Sequence, residues 1–560
     1  MSNADDPQAR RGVRQRSAAA RPADLREWID RIDTLGELQH VSGAHWDLEI
    51  GTLSEINYRR KPSAALLFDD IVGYPPGYRL LTGSLSTARR MAVTLGLDPN
   101  LDTAGLVQAL RGRPLEWEAA APGFEPEVVG RGSVLENVVQ GPDVDLTHFP
   151  APLWHEHDGG RYIGTGVAVV TSDPDSGRIN LGAYRMMIQE DGRSATVNAE
   201  AGKQGRAQLD RWFTKHGKAP VLASFGHDPL LLMVAGTEVP NTIGEYAYAG
   251  AMVGKKLRVV RGEVTGLPMP ASAEIVVEGW LRPERVLQEG PFGEWTGYYS
   301  GSLRPVPTMD IERLYFRNSP IILGTPPGKP PNDYSYMRAL LKSAMIQDEL
   351  AKSGVRDVCG VWAHETGGGR LLVVVSIKQR FCGHSRQAGY IAAQCQAAAY
   401  MNRFVIVIDD DVDPMNLEEV MWAVSTRCEP SEDIEIMRKS WGSKVDPLLE
   451  NPAIPYNTRA LIDACRPYEK LESFPRVAQS SPGRVRATVA KWKDVFADPR
   501  FPLPDAVIPS TAVLEASGDV RPSRETTAAP PTSVEPKAPD LTCESGGEPG
   551  VSPMGGKESR

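Results

Sequence analysis

The stretch RYIGTGVAVVTSDPDSGRINLGAYRMMIQ, Arg161 to Gln189, decides what kind of fold this chain builds. An apolar run reaches Thr171, DPDSG supplies turn residues, and a second run returns from Ile179 to Ile188. Two β-rich runs joined by Asp, Pro, Ser and Gly predict a hairpin. Further strand-like runs follow at short spacing: LLLMVA (Leu230 to Ala235), LRVVRGEV, AEIVVEGWL and MDIERLYF. Two helical patterns interrupt them, around Ala207 to Lys215 and Glu245 to Lys255. Strands at this density predict a barrel-like or strongly bent sheet, and residues 126–320 read as one central domain.

On the N-terminal side, DLREWIDRIDTLGEL places Leu25, Trp28, Ile29 and Ile32 at helical spacing, with Gly36 as a stop. A strand AALLF and a second helical pattern near Ser86 to Leu95 make residues 23–125 a small α/β domain. On the C-terminal side, a helix from Ser335 to Lys352 precedes VRDVCGVWA and LLVVVSIK. The helical run SRQAGYIAAQCQAAAYM, the strand FVIVID and a helix from Asn416 follow. Alternating helices and near-continuous apolar strands predict an α/β domain over residues 321–509 with a mostly parallel sheet. Residues 1–22 and 510–560 lack apolar periodicity and are expected to be disordered.

Composition narrows the function. Of 560 residues, 41% are hydrophobic and 24% charged, as in ordinary globular proteins. A net charge of −9 argues against general nucleic-acid affinity. No apolar run reaches the ~18 residues of a membrane span, and the Arg-rich start lacks a signal peptide's apolar middle, so a cytoplasmic enzyme is expected. The six cysteines show no CxxC pairing, which indicates neither a disulfide framework nor a zinc site.

Four segments carry residues that can do chemistry. EGPFGEWTGYYSG (Glu289 to Gly301) sets Glu289 and Glu294 five residues apart in a Gly/Pro-rich loop. Such a loop either brings both carboxylates to one point or is a surface turn with two solvated glutamates. In NLGAYRMMI, Asn180 and Arg185 would face opposite ways on a regular strand, so a shared site needs a break, for which Gly182 is the natural place. Glu245 opens the small-residue helix EYAYAGAM, where a carboxylate either answers the helix dipole or, with an Asn oxygen, binds a hard divalent cation. Lys378 and Arg380 in SIKQRFCGH end an apolar strand, as a phosphate-binding or merely solvated basic loop. HEH at His155 to His157 lacks metal-ligand spacing, GGGR at Gly367 reads as a hairpin turn, and the acids from Asp409 suit a helix start.

In order and spacing, ENVVQGPDVDLTHFPAPLWHEHDGGRYI, NLGAYRMMI, GEYAYAGAM, EGPFGEWTGYY, SIKQRFCGH and DDDVDPMNLEEVMWAVSTRCEP resemble the UbiD-like family of reversible decarboxylases, from about Leu25 to about Pro504. The resemblance implies a split-β-barrel-like flavin-binding domain between the two α/β domains. It also implies prenylated FMN made by a partner flavin prenyltransferase, a divalent ion (Mn2+ or Mg2+) and K+. A small-molecule carboxylic acid, CO2 and a homodimer or higher homo-oligomer complete the expected partners, without nucleic acid or membrane. By motif, Arg185, Glu289 and Glu294 take the positions of the family's catalytic Glu–Arg–Glu network, with Glu294 as proton donor. Asn180 and Glu245 take those of metal ligands, with Leu181 and Lys378 beside the cofactor. The family's usual metal-ligating His is missing from KQGRAQLDRW, where Gln204 stands and offers an oxygen instead. The alternatives are an aromatic acyl-CoA thioester as substrate, or a non-catalytic subunit of a multi-component carboxylase. Retention of Arg185, Glu289 and Glu294 argues against the last.

Overall fold

The computed structural model describes residues 21–497 apart from 300 and 452, so the expectations for residues 1–20 and 510–560 fall outside the described residues, while Arg21, expected to be disordered, is held by Asp228 at 2.7 Å and Pro22 is buried. The first helix, Leu25–Thr34, starts where the Asp24 carboxylate caps the Glu27 N–H and buries Leu25, Trp28, Ile29 and Ile32. It packs by a four-stranded sheet ordered Leu38–Ser42, Ala65–Asp69, Arg79–Thr82 and Ile321–Leu323. The last of these arrives from the far side of the central strands and pairs parallel with Arg79–Thr82.

The central sheet has seven strands, all pairing antiparallel. Its order is Ser194–Thr196, Arg304–Phe316, Ile275–Glu289, Ala219–Gly226, Ala168–Ser172 and Ile179–Gly182, with Asn137–Gln140 also on Arg304–Phe316. The two ends of this path do not pair, so the sheet is open rather than a closed barrel. It bends at register shifts in Ile275–Glu289, between Glu278 and Gly279 and between Leu281 and Val286.

The C-terminal sheet has a parallel centre, Leu372–Ile377, Phe404–Asp409 and Tyr456–Ala464. Antiparallel strands, Val358–Ala363 and Ile434–Trp441, close its edges. Among the described residues no helix is long and apolar enough to cross a membrane.

Three local expectations are corrected. LLLMVA is not a strand but the helix Pro229–Ala235, because Asp228 caps the Leu230 N–H and Pro229 sits where a missing N–H costs nothing. The return strand predicted to Ile188 stops at Gly182, and Met186–Met187 pairs instead with Tyr162–Gly164 in a separate ribbon. The helix predicted to run through to Met401 ends at Gln394. Beyond it the carbonyls of Ala397 and Ala399 turn to the buried cations of Lys342 and Arg459.

Candidate active site

The hairpin break builds the first half of the site. At Gly182 the chain leaves the sheet, and the Tyr184 ring folds back so closely that a Cβ on Gly182 would lie 2.3 Å from it. Only glycine permits that approach. A Cβ on Gly205 would likewise meet the ring at 2.5 Å, so Tyr184 lies between the two glycines. Its hydroxyl accepts from Gly205 N at 3.1 Å and from Asn180 Nδ2 at 3.4 Å. This ties Asn180 to the start of the helix Gln204–His216.

Glu245 joins from the helix Glu245–Val253, its Oε2 accepting the Leu181 N–H at 3.0 Å. The carboxylate is buried, and burial pushes it up to about 7 against the Leu181 bond. Gln204 donates from Nε2 to the Val239 carbonyl at 3.1 Å, which leaves its Oε1 enclosed without a partner. One carboxylate and two amide side chains, with an orphaned oxygen among them, fit a hard divalent cation such as Mn2+ or Mg2+. Among the described residues no group of three His, Cys, Asp or Glu is placed to hold a metal ion.

The second half is the loop quoted above. Glu289 is the last residue of the strand Ile275–Glu289, paired with Arg304 across the hairpin. Glu294 heads a smaller turn in which its N–H donates to Tyr298 O and its carbonyl accepts from Gly297 N, both at 2.9 Å. The two carboxylates meet on Arg185. Its Nε and Nη2 donate to Glu289 Oε1 and Oε2 at 2.8 and 3.1 Å, and Nη1 donates to Glu294 Oε1 at 2.8 Å. Burial opposes the guanidinium's charge, yet the bond to Glu289 and the charge of both carboxylates raise it above its ordinary value.

The two glutamates are not equivalent. Glu289 is fully buried, also takes the Tyr162 hydroxyl at 2.8 Å and has Arg304 Nε at 4.0 Å. Glu294 keeps 16% of its side chain exposed. Tyr162 is fixed by stacking on Phe292 at 3.7 Å, and burial with the Glu289 charge pushes its phenol up. The HEHDGG loop supports the arrangement. Gly159 N donates to Pro291 O at 2.8 Å, and a Cβ on Gly159 would lie 1.8 Å from the Gly290 carbonyl.

Glu245 is thus tied to Leu181, next to Asn180, and the Tyr184 hydroxyl joins Asn180 to Gly205, next to Gln204, while Arg185, Glu289 and Glu294 meet in a second cluster. The short segment from Asn180 to Arg185 links the two. Lys378 stands apart: it is exposed at the end of Leu372–Ile377, with its N–H on Asp357 O. At about 3.3 Å per residue, that strand separates it by roughly 20 Å from Arg370 at the other end. Arg370 ion-pairs with Glu238, next to Val239, and lies 5.9 Å from the Trp295 ring, next to Glu294. Arg370 and Tyr162 were not singled out from sequence. Nothing local marks either, because each acquires its setting from a residue more than a hundred positions away.

Three family models match the chain in order. They are the N-terminal domain of 3-octaprenyl-4-hydroxybenzoate carboxy-lyase (UbiD) over residues 29–110, its Rift-related domain over 127–330 and its C-terminal domain over 335–464. A phenolic acid decarboxylase of Sedimentibacter hydroxybenzoicus is 31% identical over 470 residues, covering 81% of this chain and 94% of its own. The solved vanillic acid decarboxylase of the same organism, in an open form, superposes with a TM-score of 0.72 at 29% identity, over 85% of this chain and 99% of its own. The UbiD-class enzyme HmfF of Pelotomaculum thermopropionicum shares the fold, with a TM-score of 0.73 at 24% identity over 84% of this chain and 100% of its own. With the three domains matched in order and relatives aligned over nearly their whole length, the chain belongs to the UbiD family and is a carboxy-lyase.

Proposed function

We propose that this carboxy-lyase reversibly and non-oxidatively decarboxylates an aromatic, heteroaromatic or α,β-unsaturated acid, using prenylated FMN and Glu294 as the proton donor. The observation that carries the reading is Arg185 shared between a fully buried Glu289 and a partly exposed Glu294, next to the oxygen cradle of Asn180, Gln204 and Glu245. The Sedimentibacter relatives, a phenolic acid and a vanillic acid decarboxylase, support the aromatic class. Proteins of the same fold have been solved with FMN and with prFMN, which supports the flavin.

When bound, the prenylated flavin would supply the electron sink that loss of CO2 requires. Asn180, Gln204 and Glu245 would hold the divalent ion that, with K+, neutralises the cofactor phosphate. The remaining work belongs to side chains of this chain. Arg185 receives the substrate carboxylate at the Nη1 edge now occupied by Glu294, while Glu289 keeps the other edge in place. An anion at that edge draws Arg185 from Glu294 and favours the protonated form of Glu294 through like-charge repulsion. Glu294 then delivers a proton to the carbon that has lost CO2, a role typically worth about 10²–10⁴-fold. Glu289 is committed elsewhere by its bonds from Arg185 and Tyr162. A non-catalytic subunit would have no use for this intact set, each member at hydrogen-bond distance.

Co-expression with a flavin prenyltransferase tests the reading. Mass spectrometry of the denatured protein should show the prenylated flavin, and a panel of phenolic and heteroaromatic acids should release CO2. Protein that carries no flavin even after reconstitution, or that carries it and turns over no acid of these classes, contradicts the proposal.

A further inference from the structure

We propose that a cleft at the junction of the N-terminal and C-terminal α/β domains binds a compact organic cation, an amine carried on an apolar body, with the Asp410 carboxylate as its counter-ion. The helices Thr103–Leu110 and Asp333–Lys352 meet the strands Val358–Ala363 and Leu372–Ile377 there. The cleft takes in about 500 Å³, including space open to solvent. It touches Leu372–Ile377 at Ser376, the end of that strand opposite Arg370, and so lies apart from the active site.

The fold shapes this cleft from the chain's own contacts. Pairing between the two strands shifts between Val358 and Gly360, which makes Cys359 a bulge that bends the edge strand. Gly360 lets the loop 410–415 come down on that strand, since a Cβ there would lie 3.0 Å from Pro414 Cγ. The loop is held at both ends. Before it, Asp409 Oδ2 accepts the Arg466 N–H at 2.7 Å; at its far end, the Pro414 carbonyl meets His364 Nε2 at 2.9 Å.

The lining decides the ligand. Ala104, Val107, Val361, Val412 and Met415 give the cleft apolar walls. Several polar groups among them are already committed. Gln108 Nε2 donates to Gln347 Oε1 at 3.3 Å, Ser376 Oγ donates to Asp409 O at 3.1 Å, and Asp413 Oδ1 accepts the Met415 N–H at 2.8 Å. Asp410 has no such bond. Its side chain is 19% exposed, its ion pair with Arg466 Nη2 spans 3.8 Å, and among the described residues no group donates a hydrogen bond to it. Burial pushes its carboxyl up, against the pull of Arg466 and Lys378. A mostly buried carboxylate without donors is costly, and an ammonium N–H would satisfy it with a charge-assisted bond. The same carboxylate repels an anion, and a neutral apolar molecule would leave it unpaired. Neither flavin nor carboxylic acid takes part, so this site does not rest on the decarboxylase reading.

Calorimetric titration of the full chain with 2-phenylethylamine, and with its uncharged counterpart 2-phenylethanol, tests the assignment. The amine should bind the wild type at one site, and the alcohol at least about tenfold more weakly, as the loss of one charge-assisted bond implies. Asp410→Asn keeps the shape and removes the charge, so it should weaken the amine at least about tenfold and leave the alcohol unchanged. Ala104→Trp should abolish binding of both by filling the cleft, and serves if Asp410→Asn does not fold. Amine that fails to bind the wild type at about 10 mM, or binds it and both variants alike, overturns the proposal. Alcohol that binds as tightly as the amine overturns it too, since the carboxylate would then select nothing. Ca2+ that binds in the amine's place and is lost in Asp410→Asn would make Asp410 a metal ligand and equally overturn it.

Discussion

Arg185 offers three N–H groups to two carboxylates, and that count decides what each neighbour can do. Lysine has the charge but no planar fork, so Arg185→Lys should keep the fold and lower kcat/KM by roughly 10²-fold or more, a steady-state measurement in the holoenzyme. An effect below tenfold would mean that the fork is dispensable. Glu245 makes a second prediction. Because burial holds its carboxyl near 7, proton and metal compete for it in the neutral range. The affinity for Mn2+ should therefore fall by up to about tenfold per pH unit below about pH 7, and Glu245→Ala should lose the ion at every pH, as elemental analysis after dialysis would reveal. Unchanged metal content in that variant removes Glu245 from the ligand set. Much at this scale was legible beforehand. Asn180, Arg185, Glu289 and Glu294 stand beside glycines at odd separations, where a regular strand would waste them. Arg370 and Tyr162 stand in ordinary turn and strand contexts, and only tertiary contact reveals them.

Among the elements, the long hairpin from Ile275 to Phe316 matters most, because its tip carries both glutamates. The tip is held by backbone contact with Gly159, whose missing side chain leaves room for the Gly290 carbonyl. Gly159→Ala should displace Gly290, and with it Glu289, costing roughly 1–3 kcal/mol in thermal unfolding and lowering turnover further than the stability loss explains. Wild-type melting and turnover would show that the loop gives way without consequence. The same scale explains where sequence reading failed. LLLMVA is apolar at every position, and a run of six cannot separate a buried strand from a buried helix by periodicity. The deciding signal was the preceding Asp228–Pro229, a cap followed by a first-turn proline. The end of the helix at Gln394 had no local signal, since cations from Lys342 and Arg459 take the carbonyls beyond it. The parallel centre of the C-terminal sheet was legible because strands covered on both faces read as unbroken Val/Ile/Leu runs.

At the scale of the molecule, two buried histidines set a lower limit to the working pH. Burial pushes His227 down to about 3 and His364 down to about 4. Below about 6.5 the unfolded chain takes up protons that the folded chain refuses, so this stability is present above 6.5 and lost as pH falls. By pH 5 the loss is about 2 kcal/mol for each. Urea midpoints measured at pH 7.5 and 5.0 should draw closer in His227→Gln than in the wild type; an identical difference would refute the assignment. The assembled enzyme also permits a direct test of its central claim, that Glu294 supplies the proton. Exchange of deuterium from solvent into the substrate-derived carbon, followed by NMR in the flavin-loaded enzyme, reports that step without requiring net loss of CO2. The account predicts that Glu294→Gln retains flavin and fold but slows exchange and decarboxylation together by at least about 10²-fold. Exchange at the wild-type rate in that variant would contradict it.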